Sequence, residues 1–554
     1  MSSPPTLVLG PMLRHAGETD ATVWVETSAR CTVGVLGHEA PTFEVCGHHY
    51  ALVEIDGLAP GSATTYDVRL DGHLVWPPEG YDYPTPRIRT VARSRPFRLV
   101  WGSCRTALPH HPPYTWSPTR DERGREQDAL WALAEGMRHE DPETWPDALF
   151  FAGDQVYADD TVSPQTLEFA RRRRDTARPP GRQVYDFPEY CVLYRESWSY
   201  PTIRWLLSTV PSTMIFDDHD VHDDWNTSGA WRAQMRRTDW WQEHIESALM
   251  SYWIYQHIGN LPRHELADDE VFRAVRDCAS DAGDLLRDFA ARAEVEDDGR
   301  KHARWSYARD FGAVRLVVVD SRAGRVVEGD VREMIDEEEW RWLEEQLAGE
   351  VEHLLVATSL PVLLPIGLHH VEAWNEAVCA GAWGRRVAGL GEKVRQALDL
   401  EHWAAFESSF RRLAGLLQRV TTGADGPVPR SVTLLSGDVH FSYVADASFR
   451  DGPAARCPVH QIVCSPIRNA LPRYVRHGER FARSRVGRWF GRTLSRAAGV
   501  PTPPLQWEMT SGPWFDNMIS TVQADGAALS VAFDMAPPGQ GVPELHRVLD
   551  RRLA

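Results

Sequence analysis

The sequence predicts an α/β protein with a small all-β domain in front of it, and three observations predict that division. From Phe97 onward, short continuous apolar runs recur between polar, helix-like segments, as buried strands of a sheet covered on both faces do. From Thr22 to about Trp76 apolar and polar residues instead alternate, the pattern of strands with one wet face. Between the two lies YDYPTPRIRTVARSRP, a Pro- and Arg-rich stretch that reads as a connector.

Size and composition agree. A chain of 554 residues is too long for one ordinary hydrophobic core. Its 43% hydrophobic and 25% charged residues are a globular balance. With 60 Lys and Arg against 78 Asp and Glu the net charge is -18, which disfavours nucleic acid as a partner. The amino terminus carries no basic run, twin Arg or long apolar segment, and no stretch reaches the ~18 continuous apolar residues that span a bilayer. A cytoplasmic protein is the expectation. The cysteines at 31, 46, 104, 191, 278, 379, 457 and 464 form no C-x-x-C pair, so free thiols are expected rather than disulfides or a structural zinc site.

The alternating segments ATVWVETS, CTVGVLG, HHYALVEIDGL and TTYDVRLDG, with Gly, Pro or Asp at most breaks, predict a β-sandwich of immunoglobulin or fibronectin type over residues 1–92. The second domain, 93–554, is predicted to be built on FRLVWGS, DALFFAGD, STMIFDD, VRLVVVD, HLLVATS, SVTLLSGD and HQIVCS. Ligands of such folds sit at the carboxyl ends of the strands. Several of these runs end in Cys104, Asp154, Asp217, Asp320 or Asp438. Residues 225–310 read as a charged helical insertion over one edge of the core.

Four strand ends carry chemistry. FRLVWGSCRT delivers Cys104, which alone would read as a buried, inert thiol. LFFAGDQVYADD turns at Gly153 and projects Asp154, with Tyr157 three residues on; such a carboxylate bridges two cations, and a phenolate beside it suits ferric iron. STMIFDDHDVHDDWNTS packs five Asp and two His into eight residues, a cluster that is costly unless a cation neutralises it. A solvated acidic loop fits poorly straight after an apolar strand. SVTLLSGDVHFSYV ends in G-D-x-H, offering one hard oxygen (Asp438) and one imidazole (His440) to the same cleft. Together these point to a dinuclear hydrolytic centre.

The G-D-x-x-Y and G-D-x-H motifs, the S-C strand end, the F-D-D-H-D segment, VDSR with the EEEWRWLEEQL helix, and HLLVATSLPVLL resemble the alkaline phosphatase D (PhoD-like) branch of the calcineurin-like metallophosphoesterases. The resemblance runs from about Phe97 to Ser465, and the β-sandwich resembles that family's amino-terminal domain. It implies a four-layer αββα core and metal-dependent hydrolysis of phosphate esters, monoesters or diesters, by a metal-bound hydroxide. It also implies a ferric ion partnered by calcium, with manganese or zinc as alternatives. Carried over by motif, Cys104, Asp154, Tyr157 and His440 hold the first metal; Asp154 bridges to a second completed by Asp217, Asp438 and Asp224. Where the family reads W-D-D-H-E with two Asn following, this chain has Asp223 and Asp224. A purple-acid-type phosphatase is disfavoured, because S-C-R stands where D-x-D or D-x-H is needed.

Around this set, His219 is a candidate to contact phosphate or protonate the leaving group, or else a structural histidine. Arg105 and Arg322 are candidate phosphate clamps, or else salt-bridge partners of ligand carboxylates. The alternative to an enzyme is a metal-binding, catalytically weak interaction module. Residues 467–497 interleave nine Arg with apolar residues; a solvated basic helix is expected there, contact with an anionic membrane being the other reading.

Overall fold

The computed structural model describes residues 4–159, 162–295, 301–329, 331–470 and 484–554. All seven apolar runs are strands. A six-stranded sheet has the order Ser212–Ile215, Ala148–Ala152, Phe97–Gly102, Met518–Asp525, Ala528–Met535, His546–Arg552, its first three strands parallel. A seven-stranded sheet runs Tyr307–Phe311, Val314–Val319, His353–Thr358, Ser431–Ser436, Val459–Val463, Ser442–Phe449, Leu505–Trp514, with a parallel centre.

Alternation along the buried strands shows how the layers stack. In the Val314–Val319 strand, Leu316 and Val318 join the core that contains Leu99 and Trp101 of the other sheet. Val317 and Val319 join a separate core with Trp340, Leu343, Phe410 and Leu413 of the outer helices Glu337–Leu347 and Glu407–Thr422. Leu355 and Ala357 face inward likewise, and Leu354 and Val356 outward. Each central strand is thus apolar on both faces because one face meets the opposite sheet and the other a helix, which gives the αββα architecture.

The chain departs from expectation at three places. The first strand begins at Leu7, ahead of the alternating region, and pairs irregularly with Ala21–Thr27; its Gly10-Pro11 step disguises it as a loop. The helical stretch after Trp225 ends before Tyr307, since Tyr307–Phe311 is an edge strand. Four strands beyond Leu505 alternate, in part, between exposed and buried, so no apolar run betrays them, yet Met518–Asp525 pairs directly with Phe97–Gly102. Of the Arg-rich segment, residues 471–483 lie outside the described residues, and Arg485–Ala497 is a helix.

The amino-terminal residues form two four-stranded sheets around Val23, Val25, Val33, Val53, Val68 and Trp76. The opposite face is buried as well. Trp24 lies 5.3 Å, ring to ring, from Tyr255 at the end of the helix Trp241–Tyr255. Arg14, fully buried, crosses the junction: its guanidinium donates to Ser212 O (3.2 Å), Tyr255 O (2.7 Å) and Gln256 O (2.7 Å). A buried guanidinium is tolerated only when its donors are matched, and here backbone carbonyls match them.

Replacing Arg14 with Ala strands those carbonyls and opens a hole between the sandwich and the strand Ser212–Ile215. The expected loss is about 3 kcal/mol or more of unfolding free energy in urea titration, as for other buried charged hydrogen-bonding groups; a loss within error of zero would mean the junction carries no stability.

Candidate metal centre

The two sheets meet at the carboxyl ends of their central strands. The turn at Cys104 bonds to the turn at Asp154, Cys104 N donating to Gly153 O (3.2 Å) and Arg105 N to Asp154 O (2.9 Å). Across the sheets, Asp438 N donates to Ser103 Oγ (3.2 Å) and Ile467 N to Ser103 O (2.7 Å). This approach explains the glycine of each G-D pair. A Cβ on Gly153, whose φ is +101°, would lie 2.5 Å from Asp217 Cβ. One on Gly437 would overlap the Ser103 side chain. Cys104, Asp154, Asp224, Asp438 and His440 all adopt left-handed backbone (φ +57°, +52°, +63°, +65° and +55°). Such conformations cost ~1–3 kcal/mol per residue and persist only where the surroundings enforce them, characteristically at functional sites.

Asp220 does much of the enforcing. Its carboxylate accepts from Asp154 N (2.8 Å), Asp217 N (2.9 Å), Val156 N (3.3 Å) and Gln256 Nε2 (3.2 Å), tying two strand ends to one anchor. Burial still pushes its acid up to about 7 against those donors.

Two triads lie with their donor atoms within 4.8 Å of one another: Asp154, Asp218 and His219, and Asp217, Asp218 and Asp438. Asp218 belongs to both. Asp154 Oδ1, Asp217 Oδ2 and Asp224 Oδ1 are buried without a hydrogen-bond partner, a costly condition that a bound cation relieves. Beside Asp154, the Tyr157 hydroxyl donates to Asp154 Oδ2 (3.4 Å), and Cys104 Sγ lies 3.5 Å from Asp438 O and accepts from Ser465 Oγ (3.2 Å). His440 Nδ1 donates to Asn469 O (3.0 Å), which leaves Nε2 as a free acceptor, the usual tautomer of a ligating histidine.

Electrostatics follow from burial. Asp154 and Asp217 are pushed well above the carboxylate range by burial, with neighbouring carboxylates adding to it and His219 and Arg322 respectively opposing it. Burial raises the Cys104 thiol and the Tyr157 phenol, and Asp154 beside them raises both further. Asp438 is the exception: burial would raise it, but His402, bonded through Nε2 at 2.9 Å, holds it at about 2. His402 donates its other N–H to Glu372 (2.7 Å), and between two carboxylates it stays protonated. His219 is kept protonated in the same way, against burial, by Asp159 at 3.0 Å from Nδ1 and by Asp218.

The structure thus gathers Cys104, Asp154, Tyr157, Asp217, His219, Asp438 and His440 at one place. Asp224 stands outside both triads, its N–H donating to Asp218 Oδ2 (3.2 Å) and its own Oδ1 buried without a partner, while Asp218 belongs to both. Arg105 is no phosphate clamp: it turns away from the cleft, paired with Asp128 (2.8 Å) and donating to Ser197 O (2.9 Å). Arg322, fully enclosed and ion-paired with Asp217, Asp218 and Glu401, matches the other reading given for it, a salt-bridge partner of candidate ligand carboxylates. A cavity of about 490 Å³ opens on the triads and is lined by Tyr157, Asp218, His219, His402 and His440, with Arg125 as its arginine. Sequence reasoning missed Asp218 as a donor, although it sits in the quoted D-D-H-D run. It also missed His402, Glu372 and Glu401, which reach the site from 366–379 and the turn after 398 with no local motif.

Compared with known proteins, residues 4–88 match the model of a domain of unknown function (DUF7800), and residues 130–488 match that of the PhoD-like phosphatases. A solved structure of PhoD superposes with a TM-score of 0.57 at 11% sequence identity, over 100% of this chain and 93% of that one. At that identity the likeness is one of fold. No curated protein matches.

Asp220→Asn tests the anchor apart from the donors. One carboxamide oxygen cannot accept every N–H now bound, so the turns at Asp154 and Asp217 loosen. Metal affinity is expected to fall ~10–100-fold, as for other outer-shell changes, with the circular dichroism spectrum unchanged; wild-type metal content at limiting metal would show that the turns hold without it.

Proposed function

The chain belongs to the PhoD-like phosphatase family, and from that premise we propose that it hydrolyses phosphate esters at a centre of two metal ions in the cleft between its sheets. The observation that supports this reading is the convergence of Asp217, Asp218 and Asp438, and of Asp218 with Asp154, with buried oxygens of Asp154 and Asp217 left unpartnered. Cys104, Asp154, Tyr157 and His440 would hold one ion, and Asp217, Asp218 and Asp438 the other, Asp154 reaching both. Thiolate and phenolate suit ferric iron, and the carboxylate oxygens suit a hard divalent ion such as calcium. When bound, the pair supplies neutralising charge to the phosphoryl oxygens and Lewis acidity toward water.

The remaining groups orient and move protons. Arg322 fixes Asp217 and Asp218, and His402 fixes Asp438, so these are positioning residues. His219, anchored through Nδ1 by Asp159 and lining the cleft, would give a proton from Nε2 to the departing ester oxygen. Arg125, the arginine in the cleft lining, would meet the phosphate. An open cleft over the donor groups favours turnover over a role as a metal-binding interaction module.

Asp154→Asn should abolish hydrolysis and lower bound metal with the fold retained, since a neutral amide cannot bridge two cations; near wild-type turnover would exclude that role. His219→Asn should leave metal content unchanged and slow esters with poor leaving groups ~10²–10⁴-fold, while aryl esters with good leaving groups are slowed much less. Equal slowing of both, with loss of metal, would make His219 a ligand.

The mixed pair is tested by colour. Protein purified without chelator should absorb visible light through charge transfer to iron, Tyr157→Phe should shift that band, and calcium chelation should remove activity and keep the colour. Colourless, iron-free protein fully active with zinc or manganese would refute the iron and calcium assignment alone.

A further inference from the structure

The helix Arg485–Ala497 is packed inside out. Its buried positions are Gly487, Gly491 and Ser495, small residues one turn apart, while Val486, Trp489 and Phe490 are 62%, 67% and 47% exposed. The small face seats it tightly on the helix Ile366–Cys379: a Cβ on Gly491 would lie 2.6 Å from Gly367 O. At its end Trp383 Nε1 donates to Ala497 O (3.2 Å). A helix held this closely has no freedom to roll its aromatic side chains into the core. Their exposure is fixed by the packing, and an exposed aromatic cluster marks a contact surface.

Charge identifies the contact. Arg485, Arg488, Arg492 and Arg496 share the exposed surface, residues 484–500 contain no Asp or Glu, and these four arginines have no side-chain hydrogen bond or ion pair among the described residues. At the base of the helix a cavity of about 240 Å³ is lined by Arg450, Arg488, Arg492, Arg496 and His370, with no carboxylate in its wall. In a chain of net charge -18 this is a local concentration of cations beside a concave, anion-sized space.

We propose that this helix docks the protein on an anionic lipid surface, with Val486, Trp489 and Phe490 entering the interface and the arginine-lined cavity receiving a lipid phosphate. Exposed aromatics flanked by arginines whose stems reach up to headgroups are the composition of an interfacial helix. A second copy of the chain is a poor occupant, because a symmetric contact would set four arginines against four. The supporting helix Ile366–Cys379 also carries Leu368 and Glu372 of the catalytic cleft, so a docked surface lies beside the cleft mouth.

The test is co-sedimentation of the full chain with vesicles of phosphatidylcholine alone and of phosphatidylcholine with phosphatidylglycerol. The expected result is binding to the anionic vesicles only, weakening as salt rises. Trp489→Ala with Phe490→Ala, and separately Arg488→Glu with Arg492→Glu, should each weaken it about tenfold or more. Both pairs replace exposed side chains, so their unfolding midpoints should match the wild type. Failure to bind anionic vesicles at low salt would overturn the proposal, as would equal binding by both variants. So would a Trp489-dependent dimer in light scattering, or single-stranded oligonucleotide that displaces the protein from vesicles.

Discussion

The structure is organised around a repulsion. Asp217, Asp218 and Asp438 bring donor oxygens within 4.8 Å of one another, Asp218 does the same with Asp154, and all but Asp438 are buried. Two like charges ~4 Å apart repel by about 4 kcal/mol at an effective dielectric constant near 20. Three devices in the protein answer that cost: Arg322 set among Asp217, Asp218 and Glu401, His402 between Asp438 and Glu372, and His219 beside Asp159 and Asp218. They do not satisfy every oxygen, and what they leave open defines where cations belong. The left-handed backbone at four of the proposed donors, Cys104, Asp154, Asp438 and His440, has the same origin, because a relaxed strand end would let the donor groups spread apart.

The frame that resists this spreading reaches far beyond the cleft. Asp220 clamps the turns at Asp154 and Asp217, Gln256 holds Asp220 by its side chain, and the backbone of Gln256 is held by Arg14 of the first strand. A continuous hydrogen-bonded path therefore joins the amino-terminal sheets to the strand ends that carry the donors. The sandwich has no cluster of ligating residue types, yet it is bonded to the groups that aim them. The helix Trp241–Tyr255, read from sequence as part of a peripheral insertion, is buried along nearly its whole length because it is the wedge through which this path runs.

What was legible in the sequence was whatever depends on local order. The seven apolar runs had to be strands, since nothing else buries four to six consecutive apolar residues between polar segments, and Gly153 and Gly437 marked where two backbones come too close for a side chain. What was not legible depends on partners distant in the chain. Asp218 and Asp224 are equivalent as letters in one acidic run, and only the fold decides that Asp218 joins both triads while Asp224 bonds to it through its backbone N–H. Arg105 and Arg322 follow strand ends as phosphate-binding arginines do, but Asp128 and Glu401, far off in sequence, capture them. The outward face of Arg485–Ala497 was equally hidden, because its hydrophobic periodicity is the same whichever side faces the core.

The two halves of the centre make different demands on what they bind. On one side Cys104 and Tyr157 are buried protonated, each raised by burial and by the neighbouring Asp154, so a cation can take them as ligands only by displacing two firmly held protons. That favours a strong Lewis acid with an affinity for soft and aromatic donors. On the other side His402 holds Asp438 at about 2, while burial raises Asp217 and Asp218 against the pull of Arg322. A hard ion that accepts carboxylate oxygens in loose geometry fits there with little proton release from Asp438. On the proposed assignment, the thiol and phenol of one half and the carboxylates of the other suit two unlike ions.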